Sequence, residues 1–237
     1  MILRYMPLHQ SADFNRQNGA NMAIEKAYKI RTKGKNLFLR VVKGHFMKSN
    51  GHMNYYIDVT MQKCKLSEAH AVAEELVAHC NNNNMIVDTI LCLDEMQVIA
   101  TCMAEKLTTS GFMNLNANKT IYILTPEKIS EGRFIFREES SSMIAGKSVL
   151  ILTSSVATGR TTKVAMDAVK YYGGTVAGLA SIYSAINECS GVAVYSAFDA
   201  NDLEGYYCLP AHECPLCKEG KNVDGVVNSY GFSGNLF

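Results

Sequence analysis

The residues best suited to chemistry form a run of small and hydroxyl side chains between two apolar segments. Residues 149–152 are a branched apolar run that predicts a buried strand. The apolar spacing of the later segment predicts a helix that begins near Thr161 or Thr162 and ends at a pair of glycines, residues 173–174. The amides of a first helical turn and the helix dipole favour an anion, so the loop is a candidate phosphate cradle. An ordinary strand-to-helix turn with a threonine cap is the alternative. The cradle residues are Ala157, Thr158, Gly159, Arg160, Thr161 and Thr162.

A second group of reactive side chains lies near the C-terminus and consists of Cys208, His212, Cys214 and Cys217. Three thiolates and an imidazole can form a tetrahedral structural Zn²⁺ site, and the Cys-Pro-Leu-Cys spacing is typical of half a zinc knuckle. Free thiols in a surface tail are the alternative. The remaining cysteines are dispersed through predicted helices and strands, which indicates buried thiols and a reducing, cytoplasmic location.

Composition excludes several classes of protein. The 237 residues suffice for one sizeable α/β core. A formal charge of +1 supplies no field that would attract nucleic acid, and no apolar run is long enough to cross a membrane. The first residues also lack the apolar block of a secretory signal. We therefore expect one main domain with neither a nucleic acid nor a membrane as partner.

Apolar segments alternate between strand-like and helix-like patterns, and this alternation predicts the fold class. It indicates a mostly parallel sheet flanked by helices, in which ligands bind beyond the carboxyl ends of the strands. We expect a loosely held N-terminal arm (residues 1–22), an α/β domain (23–205) and a Cys-containing tail (206–237). The predicted strands are residues 55–59, 85–93, 120–124, 149–152, 175–183 and 192–198, the predicted helices 23–28, 67–79 and 95–107, and a flap is predicted around 134–136.

Two segments together resemble a known family. A Lys48-Ser-Asn-Gly turn, followed by Tyr55, Tyr56 and Asp58, resembles the signature of orotate phosphoribosyltransferases. Residues 149–162 resemble the phosphoribosyl-pyrophosphate loop of type I phosphoribosyltransferases. The two segments lie in the family's order about 100 residues apart. The resemblance covers roughly residues 36–200 and implies the type I phosphoribosyltransferase fold with a small hood, a homodimer and Mg²⁺ as cofactor. The ligands it implies are phosphoribosyl pyrophosphate or a nucleoside monophosphate, and a nucleobase, with orotate suggested.

The resemblance also implies a role for each matching residue. The cradle residues would hold the 5′-phosphate, Lys48 would approach the ribose phosphates or pyrophosphate, and Tyr55 and Tyr56 would flank the base. Backbone amides, an ammonium group and aromatic faces suit those three tasks. A solvated loop lysine and two tyrosines of a core strand are the alternatives.

Three segments depart from the family pattern. Thr153 and Ser154 stand where the family has two acids that grip the ribose hydroxyls. Because hydrogen bonds to ionised groups contribute about 1.5–3 kcal/mol against about 1 for neutral pairs, this exchange weakens the ribose contact by one to several kcal/mol. Lys128 is the nearest counterpart of the family's catalytic-loop lysines.

The third departure is the pyrophosphate loop. Asp94 and Glu95 replace a glycine-rich segment there. Two carboxylates repel pyrophosphate unless Mg²⁺ lies between them. Alternatively, Asp94 caps the following helix and Glu95 lies in its first turn.

Three functions are compatible with these residues. The first is a phosphoribosyltransferase, the second a binding module of the same fold that has lost turnover, and the third an unrelated function in which the tail metal matters. The intact phosphate turn favours the first two, and the missing acids favour the second over the first.

Overall fold

The structure is a computed structural model that describes residues 27–31, 37–48, 51–109, 114–129, 132–228 and 230–234. The expected arm at residues 1–22 and most of the helix expected at 23–28 lie outside the described residues. So do Ser49 and Asn50 of the Lys48 turn. No helix within the described ranges is long and apolar enough to cross a membrane.

Fourteen strands and six helices make up the described chain. The strands are β1 (Tyr28–Arg31), β2 (Phe38–Lys48), β3 (Gly51–Asp58), β4 (Thr89–Cys92), β5 (Tyr122–Leu124), β6 (Glu127–Lys128), β7 (Phe134–Ile135), β8 (Ser148–Val156), β9 (Thr175–Ser184), β10 (Glu188–Cys189), β11 (Val192–Phe198), β12 (Cys208–Leu209), β13 (Gly225–Asn228) and β14 (Gly231–Gly234). The helices are α1 (Thr60–Cys64), α2 (Leu66–Asn82), α3 (Gln97–Thr108), α4 (Glu138–Ser141), α5 (Arg160–Tyr171) and α6 (Pro215–Lys218).

The main sheet has the order β10-β11-β9-β8-β4-β5, and every pair except β10–β11 is parallel. Its central strand β8 is apolar on both faces because both faces are covered. Leu150 and Leu152 pack with α2 and α3, whereas Val149 and Ile151 pack with α5. The predicted parallel sheet flanked by helices is confirmed.

The order of the parallel strands creates one crevice. The chain runs from β4 to β5 on one side of β4, and then to β8 on its other side. The connections therefore leave β4 and β8 in opposite directions, and a crevice opens beyond the carboxyl ends of these two strands. The loops after β4 and after β8 form its walls.

A second sheet has the order β12-β3-β2-β13-β14, with β1 paired to the first half of β2. Val42, Phe46 and Met53 form a small core on this sheet, and Phe232 of β14 packs against them. Three strands of the C-terminal tail are thus integrated into the sheet. In the region expected to form a flap, β6 and β7 make a separate hairpin.

Three expected boundaries are wrong. Tyr28 belongs to a strand rather than a helix, because β1 pairs with β2. The strand expected at residues 85–93 is confined to β4, because the side chain of Asn116 bonds to the Val87 amide (2.9 Å) and the Met85 carbonyl (2.8 Å) in place of a neighbouring strand. Helix α3 begins at Gln97 rather than Glu95.

Candidate functional site

Within the cradle, Gly159 caps α5 in a left-handed conformation with φ of +75°. No side chain caps this helix, so the threonine-cap alternative is wrong. A Cβ atom on Gly159 would lie 2.8 Å from Cys189 Sγ and 3.2 Å from Ile186 Cδ1. Both backbone conformation and space therefore require glycine here.

The cradle faces the hairpin that carries Lys48. A cavity of about 50 Å³ is lined by residues 155–162 together with Lys48, Gly51 and Cys208. All six cradle residues are part of this lining. Lys48 ends β2 and Gly51 begins β3, so the paired ends of these two strands lie opposite the N-terminus of α5. The structure thus brings together two segments that are far apart in the sequence.

A second cavity of about 50 Å³ adjoins the first and shares Lys48 and Ser155 with it. Tyr56 and Ser154 line it, and the tail strands contribute a wall that includes Val227 and Asn228. The ring of Tyr56 contacts those of Phe46 and Phe232, with centroids 6.0 and 5.6 Å away. Burial and the nearby Asp58 carboxylate raise the pKa of Tyr56 to about 12, so its phenol is neutral.

Tyr55 is separated from this site. Successive residues of a strand point to opposite faces, and Tyr55 packs against the main core. Burial and a hydrogen bond to Tyr55 raise the pKa of Tyr28 to about 12. Among the described residues that line the two cavities, only the second tyrosine of the pair is present.

The loop after β4 is a tight turn rather than a helix cap. The Met96 amide donates to the Leu93 carbonyl at 3.2 Å, and the two residues between them have positive φ, +52° for Asp94 and +62° for Glu95. Two consecutive left-handed residues define a type I′ turn, and this conformation costs a residue such as Glu about 1–3 kcal/mol. The alternative that Asp94 caps α3 is wrong, because Met96 is the residue that precedes it.

The Asp94 carboxylate lies between the ends of β4 and β8. Its Oδ2 accepts hydrogen bonds from Thr153 Oγ1 (2.7 Å), Ser154 Oγ (2.9 Å) and the Ser154 amide (3.3 Å). The two hydroxyl residues that stand where the resemblance implies two acids therefore bind an acid from the loop after the neighbouring strand, β4. A negative charge is present at this end of the crevice, although it comes from a different position in the chain.

Lys63 of α1 supports the same turn and is a site residue that the sequence did not reveal. Its Nζ donates to the Asp94 carbonyl at 3.1 Å and lies 3.5 Å from Glu95 Oε2. Lys63 is 31 residues from Asp94 in the sequence, and no local pattern marks the contact.

These pairings bear on the metal that the resemblance implies. Asp94 Oδ2 already accepts three hydrogen bonds, and Glu95 faces the ammonium of Lys63. A Mg²⁺ site instead needs carboxylates free to join an octahedron of oxygens. Asp94 and Glu95 therefore fit a Mg²⁺ site poorly.

Lys128 lies apart from both cavities. It is exposed on the β6–β7 hairpin, where it pairs with Phe134. Neither cavity lining includes it among its described residues.

Four metal-binding side chains converge where the tail meets the hairpin. The ligand atoms of His45, His52, Cys214 and Cys217 all lie within 4.8 Å of one another. Burial and the neighbouring His45 lower the pKa of His52.

The cluster differs from the expected zinc ligands in two members. Cys208 pairs with Met53 in the sheet and lines the first cavity, while His212 is exposed and lies 3.2 Å from Glu213. The two histidines of the cluster were missed because they lie about 170 residues from the cysteines. Their positions on either side of the Lys48 turn are the sequence signal that could have identified them.

Comparison with known proteins gives structural likeness without sequence matches. No protein-family model and no curated protein matches the sequence. A phosphoribosyltransferase from Corynebacterium diphtheriae is similar over 79% of this chain and 97% of its own, with 18% identity and a TM-score of 0.47. Mycobacterium tuberculosis orotate phosphoribosyltransferase in complex with Fe(III) dicitrate is similar over 80% of this chain and 98% of its own, with 15% identity and a TM-score of 0.47. The Leishmania donovani UMP synthase is similar over 69% of this chain and 34% of its own, with 17% identity and a TM-score of 0.49. At these values the likeness carries no argument about activity, which has to come from this chain's own residues.

Proposed function

We propose that the protein binds a phosphoribosyl compound and, as an orotate phosphoribosyltransferase-like enzyme, transfers its phosphoribosyl group from phosphoribosyl pyrophosphate to a nucleobase. The observation that carries this proposal is the shared cavity of Lys48 and the cradle residues 157–162. A helix N-terminus and an ammonium group facing each other make a site for a phosphate monoester. Arg160 and the hydroxyls of Thr158 and Thr161 add polar groups to the same lining.

The second cavity suits the rest of such a ligand. A ribose whose 5′-phosphate occupies the cradle would extend past Ser155 and Lys48, the two residues common to both cavities. Its base would then meet the ring of Tyr56, and an aromatic face binds any planar base by stacking. Orotate as that base rests on the resemblance of the Lys48–Tyr56 segment, and the homodimer and the cytoplasmic location stay predictions.

The reaction would place positive charge on the ribose. A base nitrogen forms a bond to C1′ while the bond from C1′ to the pyrophosphate oxygen breaks, and the ring gains oxocarbenium character. The Asp94 carboxylate, held by Thr153 and Ser154, would stabilise that charge electrostatically. Because Asp94 and Glu95 are already paired within the chain, no step is assigned to Mg²⁺.

A second candidate function is a binding module of the same fold without turnover. The observation in its favour is the loop after β4, where two acidic residues occupy a type I′ turn beside the crevice. The Asp94 carboxylate would repel pyrophosphate, yet leave the cradle able to bind a nucleoside monophosphate or sugar phosphate.

One experiment separates these functions. The purified protein is assayed with Mg²⁺, phosphoribosyl pyrophosphate and a panel of nucleobases, and its melting temperature is measured with ribose 5-phosphate. Base-dependent release of pyrophosphate is expected for the transferase. A thermal shift without pyrophosphate release would assign the binding module. The absence of both would contradict the proposed phosphate site.

Lys48→Ala is expected to weaken ribose 5-phosphate binding by about ten- to a hundredfold. The lost ammonium–phosphate contact corresponds to roughly 1.5–3 kcal/mol, the range for hydrogen bonds to charged groups. Isothermal titration calorimetry measures the change. Lys43→Ala is the matched control, because Lys43 is an exposed residue of the same strand, β2, and should leave the Kd unchanged. Equal affinities for all three proteins would place the phosphate elsewhere.

A further inference from the structure

We propose that His45, His52, Cys214 and Cys217 bind a structural zinc ion that ties the C-terminal tail to the β2–β3 hairpin beside the phosphate cavity. The ligands come from three elements: His45 from β2, His52 from β3, and the two cysteines from the short helix α6, with Cys214 as its N-cap and Cys217 within it. A metal held by all three would act as a cross-link between distant parts of the chain.

The distances between ligand atoms match a tetrahedral site. Zinc bonds of about 2.0–2.1 Å to nitrogen and about 2.3 Å to sulfur give tetrahedral edges of about 3.4 Å between two nitrogens and about 3.6 Å between nitrogen and sulfur. Cys214 Sγ and Cys217 Sγ lie 3.6 and 3.5 Å from His45 Nε2, and Cys217 Sγ lies 3.2 Å from His52 Nδ1. The two histidine nitrogens are 2.8 Å apart, so this edge and the Cys217–His52 edge would each lengthen by about half an ångström around a bound ion.

His45 is oriented for metal binding by its other ring nitrogen. Its Nδ1 lies 3.0 Å from the Lys221 carbonyl oxygen and 3.2 Å from that of Asn222. Carbonyl oxygens only accept, so Nδ1 is the ring nitrogen that donates, and Nε2, which lies near the two sulfurs, is the nitrogen left to bind a metal. Metal-binding histidines almost always donate their second N–H in this way. His45 is only 2% exposed, so its polar ring needs such partners on both sides.

The backbone around the cluster is held in place from both sides. Asp224 of the tail accepts the His45 amide through Oδ2 at 2.7 Å and donates its own amide to the His45 carbonyl at 2.7 Å. Pro215 begins α6 directly after Cys214, and Gly220 follows the helix with φ of +70°. The hairpin and the tail therefore meet in a defined register.

The donor set selects zinc over the hard cations. Two thiolates and two imidazoles in a tetrahedron suit Zn²⁺, whereas Mg²⁺ and Ca²⁺ take oxygen ligands. Two thiolates also neutralise the charge of the ion, which matters because Cys214 is fully buried.

The position of the cluster connects it to the ligand site, and this step rests on the proposed function. His45 and His52 flank the turn whose ends, Lys48 and Gly51, line the phosphate cavity. The tail beyond the cluster supplies Val227 and Asn228 to the adjoining cavity. Loss of the metal would therefore loosen two walls of the site at once.

The test is the metal content of the full-length protein, measured by elemental analysis after purification without chelators. We expect about one zinc per chain, falling below roughly a tenth of that in His52→Ala and in Cys217→Ser. The matched controls are His212→Ala and Cys208→Ser, which remove the other histidine and cysteine of the tail and should keep the metal. Zinc lost from either control, or kept by both ligand variants, would overturn the ligand set.

Wild-type protein provides a check that does not depend on the folding of variants. After removal of the metal, titration with Co²⁺ should give the visible absorption of a tetrahedral thiolate site at one equivalent, and Zn²⁺ should displace it. Absence of binding by both metals would overturn the proposal. The metal-free protein should bind ribose 5-phosphate about tenfold more weakly; an unchanged Kd would refute the connection to the phosphate cavity but not the metal site. A bound metal in a protein that ignores ribose 5-phosphate would refute only the proposed function.

Discussion

Gly159→Val is expected to abolish the thermal stabilisation that ribose 5-phosphate gives the wild-type protein. Valine at φ of +75° is strained by roughly 1–3 kcal/mol, and its Cβ would lie 2.8 Å from the sulfur of Cys189. A shift of the loop would relieve both the backbone strain and the contact with Cys189. The same shift would move the first-turn amides of α5 away from the phosphate position. Differential scanning fluorimetry with and without ribose 5-phosphate measures the loss.

Gly146→Val is the matched control for this substitution. Gly146 has φ of +67°, and no heavy atom lies within 4 Å of a Cβ placed there. It precedes β8, whereas the cradle follows that strand. Gly146→Val should therefore lower the melting temperature through the same backbone strain and keep the full ligand shift. A normal shift in Gly159→Val would contradict the assignment of the phosphate to the cradle.

The central fold could be predicted because its signals are local. The apolar run at residues 149–152 lies in a strand covered on both faces, and such strands read as continuous apolar segments. The stop of α5 at a glycine pair is equally local. The strand expected at residues 85–87 does not form, because the side chain of Asn116, from a distant loop, takes the bonds that a neighbouring strand would make.

The candidate site could be predicted only in part, for the same reason. The cradle is one continuous segment, and its glycine and hydroxyl side chains identify it in the sequence. The Asp94 contact depends on strand order: Cys92 of β4 pairs with Leu152 of β8, so the residues that follow this pair in the two segments lie next to each other. His45 and His52 face the cysteines only because β12 and β13 join the sheet that contains β2 and β3, and that pairing has no local signal.

Asp94→Asn is the substitution that distinguishes turnover from binding. Asparagine keeps the shape of the side chain and tolerates the left-handed conformation, so the turn should survive. The negative charge beside Thr153 and Ser154 is lost. If the protein is a transferase, as proposed, the wild-type carboxylate stabilises the positive charge that develops at the ribose. Without it, kcat should fall by about 10²-fold with little change in KM. Steady-state pyrophosphate release measures both constants.

If the protein is a binding module, Asp94→Asn should have a favourable effect instead of an unfavourable one. Removal of a carboxylate near the pyrophosphate position relieves a repulsion, so Asp94→Asn would tighten the binding of phosphoribosyl pyrophosphate in calorimetry, without turnover in either protein. Glu95→Gln is the control, because the Glu95 side chain is 53% exposed and pairs with Lys63 rather than with the β8 residues. It should change kcat and Kd by less than about threefold. If Asp94→Asn changes neither constant more than this control does, the Asp94 carboxylate does not face the ligand, and the crevice between β4 and β8 binds through the cradle alone.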